Sequence, residues 1–320
     1  TAVIEILSPG LLTTVQDAGR YGWQKYGVPV SGAMDGWSLA VANLLAGNAP
    51  AEGALEITAL GPTLRFFQPV AFALAGGDFP AQLDGSPLEM GRAYSARAGS
   101  TLQIGAARTG FRCYLAVNGG FALPSVMGSV STYQKGGFGG CQGRPLQKGD
   151  RLPLREPQFW LNAMERRQCP MPRWDPNPII RVIPGPQEDC FSPRGLRTFY
   201  QGTYTIGPDS DRMGYRLRGP AIQRLEGFDG NILSDGVAMG SIQVPDGTPL
   251  IMMADRQTTG GYAKIATAIT QDLPALAQCR PGDTLRFAAV TMEEAQALAR
   301  AHARFLRGLA HALELPEGLW

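Results

Sequence analysis

The sequence predicts a mainly β protein of two domains joined by a proline-rich linker, and three observations carry that expectation. The chain has 320 residues, a length that suits about two domains. Short runs rich in β-branched and aliphatic residues recur between turn formers in both halves. R-A-G-S-T-L-Q-I-G-A at 97–106 is echoed by R-P-G-D-T-L-R-F-A-A at 280–289, a turn feeding a strand near the end of each half, as two related β domains placed head to tail would show. The boundaries fall at 1–155 for the N-terminal β domain, 156–178 for the linker and 179–320 for the C-terminal β domain.

Residues 2–7 read as a short apolar strand. The segment 11–22 then crowds Thr13, Thr14, Gln16, Asp17 and Arg20 around two glycines, and 27–35 continues as loop. Asp35 is placed to cap a helix through Trp37, Ala40, Val41, Leu44 and Leu45 that Gly47 would end; the same carboxylate is also a site candidate. From 52 to 154 the spacing is that of an all-β barrel or sandwich, with strands at 55–59, 63–67, 70–74, 81–83, 101–104 and 112–117 and a hairpin signal at Asp84-Gly85. Gly136 to Gly140 and Gly143 lack both nucleotide-loop patterns and read as a close backbone approach or a mobile loop, with phosphate binding the lesser option. Pro157, Pro170, Pro172, Pro176 and Pro178 interrupt any regular element, which marks the linker.

In the second half 179–183 restarts a strand and Pro184-Gly-Pro186 turns it. At 210–218, S-D-R-M-G-Y-R-L-R read as a strand puts Arg212, Gly214, Arg216 and Arg218 on one face, fit to grip a carboxylate or phosphate or else to form a solvated edge. Gln243 sits in an apolar strand, so its amide needs a partner there. The chain's densest polar corner lies between apolar runs at 250–254 and 265–269. Asp255, Arg256, Gln257, Thr258 and Thr259 precede Gly260-Gly261, a pair that permits positive φ and lets successive N–H groups converge on an anion or developing oxyanion. A long solvated hairpin loop is the alternative.

Composition narrows the function. Hydrophobic residues make up 44% and charged residues 18%, so the chain can bury a core and is not a disordered polar chain. Net charge is +2 without a basic run, which argues against nucleic acid and membrane surfaces as partners. Five dispersed cysteines form no C-x-x-C pair, so neither disulfides nor a thiolate zinc site is expected. No signal-peptide pattern opens the sequence and no apolar stretch reaches about 18 residues, so a soluble, cytoplasmic protein is expected. The two histidines, His302 and His311, share a C-terminal helix with a capping box at 291–294; His302 falls among its apolar positions, and His-based triads and metal sites are set aside.

Six segments then add up to a family: T-T-V-Q-D-x-G-R-x-G at 13–22, G-A-M-D at 32–35, A-L-E-I-T at 54–58, R-M-G-Y-R-L at 212–217, I-Q-V-P-x-G-x-P at 242–249 and D-x-Q-T-T-G-G-Y at 255–262. Together they resemble the KipA family, also called allophanate hydrolase subunit 2 or the C component of 5-oxoprolinase, related to the carboxyltransferase domain of urea amidolyase. One departure is Ala263, where the family often has Pro after Gly-Gly-Tyr. The resemblance implies two tandem cyclophilin-like β-barrel domains with a few short helices and a C-terminal helix. It implies work in a complex with a KipI-like partner and a LamB/YcsF-like partner, which opens 5-oxoproline to glutamate with ATP. In the urea amidolyase branch a similar domain moves a carboxyl group from carboxybiotin to urea; a non-catalytic KipA-type regulator is the third option. None of Lys25, Lys135, Lys148 and Lys264 lies in an A-M-K-M-type biotin carrier motif.

Both reactions need donors aimed at an oxygen that gains charge, an anchor for an anion, and little bulk water. Residue type therefore assigns the donors to Thr258, Thr259, Gly260 and Gly261, and the anion contacts to Arg212 and Arg216. Asp255 would orient or deprotonate an N–H group and Tyr262 would close over the substrate. Asp17, Arg20, Glu56 and Gln243 are further substrate-side candidates, and no metal site is expected. Thr259→Val and Arg212→Met are expected to abolish activity and leave the fold intact.

Overall fold

The computed structural model describes residues 3–157 and 161–320. Ala2, the start of the first expected strand, and residues 158–160 of the proline-rich stretch lie outside them. The protein is mainly β, with a closed seven-stranded barrel and few helices. It divides into two compact units, one holding Thr1–Arg20, Ser31–Trp174 and Ala303–Trp320, the other Tyr21–Val30 and Asp175–His302.

In the first unit the strands form two antiparallel sheets. The six-stranded sheet runs in the order Arg151–Pro153, Val3–Ser8, Thr63–Phe66, Thr101–Ile104, Ala81–Leu83, Ser86–Leu88; the five-stranded sheet runs Leu12–Gln16, Ala54–Thr58, Thr109–Val117, Val70–Asp78, Arg92–Ala96. Ile4, Ile6, Leu64, Phe66, Leu102 and Ile104 meet Val15, Leu55, Ile57, Phe72, Leu74, Cys113 and Leu115 in one apolar core. The helix Gly36–Leu45 brings Leu39, Val41, Ala42, Leu44 and Leu45 together with Ala54, Ala73, Ala75, Tyr114 and Ala116 in a second cluster. The central strands are therefore covered on both faces, which is why A-L-E-I-T is buried at every position rather than alternating.

Asp35 is the helix N-cap: one carboxylate oxygen accepts from the Ser38 amide at 2.9 Å and the other from the Ser38 hydroxyl at 2.6 Å. Gly139, Gly140 and Gly143 take positive φ, and a Cβ on them would collide with Ser131, Thr132 and Gly137, so the glycine cluster is a close backbone approach.

From 161 to 174 the proline-rich stretch packs on the first unit. Cys169 N–H donates to Gly91 O at 2.8 Å and Trp174 Nε1 to Gly76 O at 3.1 Å. Arg167 is buried and reaches three carbonyls, Leu45 through Nε at 2.8 Å, Leu44 through Nη2 at 3.1 Å and Leu313 through Nη1 at 3.1 Å. A cation at a helix C-terminus satisfies orphan carbonyls and meets the negative end of the dipole. Arg167→Met should lower the unfolding free energy by about 2–3 kcal/mol. A urea midpoint equal to wild type would show that water replaces the guanidinium at no cost.

The barrel of the second unit closes in the order Ile179–Pro184, Lys264–Ala268, Ser241–Gln243, Leu250–Met252, Gly214–Arg218, Tyr204–Ile206, Thr284–Ala289. The last strand returns to the first in parallel, and every other pairing in the ring is antiparallel. Phe199 of the helix Pro193–Gln201 stacks on Phe287, centroids 4.5 Å apart. The expected capping box opens the helix Met292–Ala312, with Thr291 N–H on Glu294 Oε2 at 2.7 Å and Glu294 N–H on Thr291 Oγ1 at 3.2 Å. The two echoing segments share a turn: Ser100 N–H donates to Arg97 O and Asp283 N–H to Arg280 O, with Gly99 and Gly282 both at positive φ.

Candidate functional site

Asp17 follows the strand Leu12–Gln16, and its carboxylate is fully engaged by the chain. Oδ1 accepts from Gly19 N–H at 2.7 Å, Ser129 Oγ at 2.7 Å and Ser131 Oγ at 2.6 Å, and Oδ2 from Val130 N–H at 2.7 Å. Arg20 is 1% exposed, donates to Ser131 O at 2.5 Å and lies over the Phe138 ring at 4.9 Å. Both residues hold the 129–138 loop. Glu56 is buried between sheet and helix, where Oε2 accepts from Met34 N–H at 2.8 Å and from Tyr114 Oη at 2.7 Å. Burial, reinforced by the charges of Glu56 and Asp35, pushes the Tyr114 phenol well above its ordinary value, so it stays a hydrogen-bond donor to that carboxylate.

In the second unit Arg212 and Asp255 answer one another. The guanidinium forks onto the carboxylate, Nε to Oδ2 at 2.9 Å and Nη2 to Oδ1 at 3.1 Å, while Asp255 N–H donates to Arg212 O at 2.8 Å. Both side chains are buried. The structure thus sets against each other two residues to which residue type had assigned separate roles, Arg212 as an anion contact and Asp255 as the partner of an N–H group. The expected arginine face forms only in part, as Arg216 and Arg218 lie exposed opposite the buried Tyr215 and Leu217. The strand begins only at Gly214, Arg212 turns inward before it, and Arg216 points to solvent with an exposed Asp209 3.5 Å away.

The corner itself is not a nest of N–H groups. Gly260 and Gly261 lie outside the left-handed region, in the strand Thr259–Tyr262, which pairs antiparallel with Asn231–Gly236 as a two-stranded ribbon separate from the barrel ring. The absent Cβ serves close packing instead: one built on Gly260 would lie 2.6 Å from Gln243 Nε2. Gln243 is 0% exposed, and among the described residues neither its amide nitrogen nor its amide oxygen has a hydrogen-bond partner. Thr258, Thr259 and Tyr262 are at least partly exposed along the same ribbon. Gly260 therefore lies against Gln243; Thr258, Thr259, Gly261 and Tyr262 are its neighbours along the chain, and Arg216 stands on the separate strand Gly214–Arg218.

Sequence reasoning left two residues of this region without a role. Lys264, directly across the ladder from Gln243, is buried and its Nζ donates to Asp235 Oδ2 at 3.1 Å and Gly236 O at 3.3 Å. The hydrogen bond from that ammonium holds the Asp235 carboxyl below its ordinary value. Arg256 is also buried, with Nε on Val237 O at 2.8 Å and Nη1 on Met253 O at 3.2 Å, and burial pulls its pKa down. The signal for Lys264 was the one used for Gln243, a polar head in an otherwise apolar strand.

The family model described as carboxyltransferase domain, subdomain A and B, matches residues 26–289. The chain belongs to that carboxyltransferase family. Two relatives in it are named as the C component of 5-oxoprolinase. That of Haemophilus influenzae is 38% identical over 305 residues, covering 95% of this chain and 96% of the relative; that of Escherichia coli is 38% identical over 312 residues, covering 97% and 99%. Among solved structures, Kluyveromyces lactis urea amidolyase aligns at a TM-score of 0.89 and 29% identity, covering 96% of this chain and 20% of that one. Within this carboxyltransferase-domain chain, the departure at Ala263 has a local consequence. Its N–H donates to Gly230 O at 3.2 Å, a bond that proline cannot make. Among the described residues no helix is long and apolar enough to cross a membrane.

Proposed function

We propose that this chain is the C component of an ATP-dependent 5-oxoprolinase that opens 5-oxo-L-proline to L-glutamate, working with a LamB/YcsF-like partner and a KipI-like partner in the cytoplasm. The observation that carries the reading is the end-to-end match to two proteins named as that component, each covered almost completely. The urea amidolyase match takes in only 20% of its chain. ATP is consumed by the complex, and no ATP site is assigned to this chain.

In this reading Thr258 and Thr259 supply donors toward the lactam oxygen as it gains charge, and Tyr262 shields the same ribbon from water. Thr259→Val should abolish turnover and shift stability by no more than about 0.5 kcal/mol, since the residue is exposed. Wild-type turnover would remove Thr259 from the site. The function itself is tested by glutamate release from 5-oxoproline and ATP by the three purified proteins, each omitted in turn. Loss of activity when this chain alone is left out supports the proposal.

The TM-score of 0.89 to urea amidolyase favours a second reading, a biotin-dependent carboxyltransferase acting on urea or a related amide. An inactive three-protein mixture, with carboxyl transfer from a biotinylated carrier, would select it. Partner binding without either turnover would select the regulator.

A further inference from the structure

The geometry points to a binding site for a small molecule carrying both an amide and a carboxylate, built from Gln243 and Lys264 beneath the ribbon and closed by Asp235, whose carboxylate stands where the ligand's would. The inference rests on the 5-oxoprolinase reading and names the residues that would hold that substrate.

Three observations converge on it. Gln243 and Lys264 are opposite each other across the ladder, so their side chains leave the same face of the barrel as immediate neighbours. Both are buried, yet among the described residues the Gln243 amide has a hydrogen-bond partner at neither nitrogen nor oxygen. A buried amide without a protein partner is costly, so its N–H and C=O are free to pair with a bound molecule. An amide presents a donor and an acceptor side by side. Its match is a group with the reverse pair, an amide or lactam whose C=O accepts from Nε2 and whose N–H donates to Oε1. A carboxylate or phosphate, which only accepts, would leave Oε1 unpaired.

Lys264 supplies the other half. Its ammonium is buried, and its charged partner is Asp235 on the ribbon, 62% exposed at the side chain against 4% for Lys264. Asp235 pairs with Gly260 across the ribbon, and Gly260 is the residue whose missing side chain leaves room for the Gln243 amide. Asp235, Gly260, Gln243 and Lys264 are therefore contiguous. The exposed carboxylate of Asp235 can swing into solvent at little cost, whereas the buried ammonium of Lys264 cannot remain unpaired. A ligand carboxylate that displaces Asp235 meets both needs, and it releases the ribbon from its ion pair with the barrel strand Lys264–Ala268.

The test is calorimetric titration of the full chain, alone and mixed with both partner proteins, with L-5-oxoproline, 2-pyrrolidinone, which lacks the carboxylate, and L-proline, which lacks the lactam carbonyl. L-5-oxoproline should bind at least about tenfold tighter than either fragment-like probe. Lys264→Met should remove that preference over 2-pyrrolidinone. Asp235→Asn, at an exposed position, should tighten L-5-oxoproline about tenfold by removing the competing carboxylate. Gln243→Leu should keep or raise the melting temperature while losing the preference over L-proline, a combination a purely structural amide would not give. Unchanged affinity in Lys264→Met or Asp235→Asn overturns the site, as does the absence of L-5-oxoproline binding in both preparations. Glutamate release by the assembled proteins in the face of such a result would overturn only this site and leave the proposed function standing.

Discussion

Arg212→Met will unfold the second unit more readily, by about 3–5 kcal/mol, rather than leave the fold intact. The side chain forks onto Asp255 through two bonds of 2.9 and 3.1 Å, and both partners are buried. Removing the guanidinium strands a carboxylate in a place water reaches poorly. The pair also joins the start of Gly214–Arg218 to the end of Leu250–Met252, two neighbours in the closed barrel, so the loss falls on the ring itself. The double variant Arg212→Met with Asp255→Leu should recover most of the loss, because the desolvation of two charges disappears together with their attraction. Urea unfolding monitored for midpoint and slope checks both. An Arg212→Met protein as stable as wild type but inactive would return Arg212 to the role of substrate anchor.

That reversal shows what the sequence made legible. Arg212 and Asp255 stood out because charged residues flank apolar strands, but residue type alone does not say whether such a charge faces a ligand or another charge 43 positions away. The strands around them were readable, since Leu250–Met252 and Lys264–Ala268 follow from local β-branched and aliphatic runs. The Asp35 cap and the capping box at 291–294 were readable for the same reason, each resting on neighbours three positions apart. Gly260 and Gly261 misled in the opposite direction. Glycine's tolerance of positive φ was the obvious use, yet both lie in a strand outside the left-handed region, and the hydrogen atom in place of a Cβ at Gly260 makes room for Gln243 of the barrel. Nothing within a few residues of Gly260 encodes that contact. Pairings such as Gln243 with Lys264, or Arg167 with the end of a helix more than a hundred residues earlier, emerge only from the assembled sheet.

Asp17→Ala should cost the first unit about 3–5 kcal/mol, the other large loss expected in this chain. Four donors converge on that carboxylate within 2.6–2.7 Å: two serine hydroxyls and two backbone N–H groups. They join the end of Leu12–Gln16 to the 129–131 loop, where Arg20 and the close-packed glycines also meet. Each bond to a charged acceptor is worth about 1.5–3 kcal/mol, but the four share one group and do not add. Asp17→Asn separates charge from shape. Its amide NH2 can point only one way, so at least one donor, Val130 N–H or the Gly19 and serine set, faces another donor, and a loss of about 2 kcal/mol is expected. Ser131→Ala removes a single donor and should cost about 1 kcal/mol. The order Ala, Asn, then the serine variant is what a structural clamp requires. A catalytic or substrate-binding carboxylate would instead give variants with near-native stability and no turnover, and that outcome would place Asp17 back among the chemical residues.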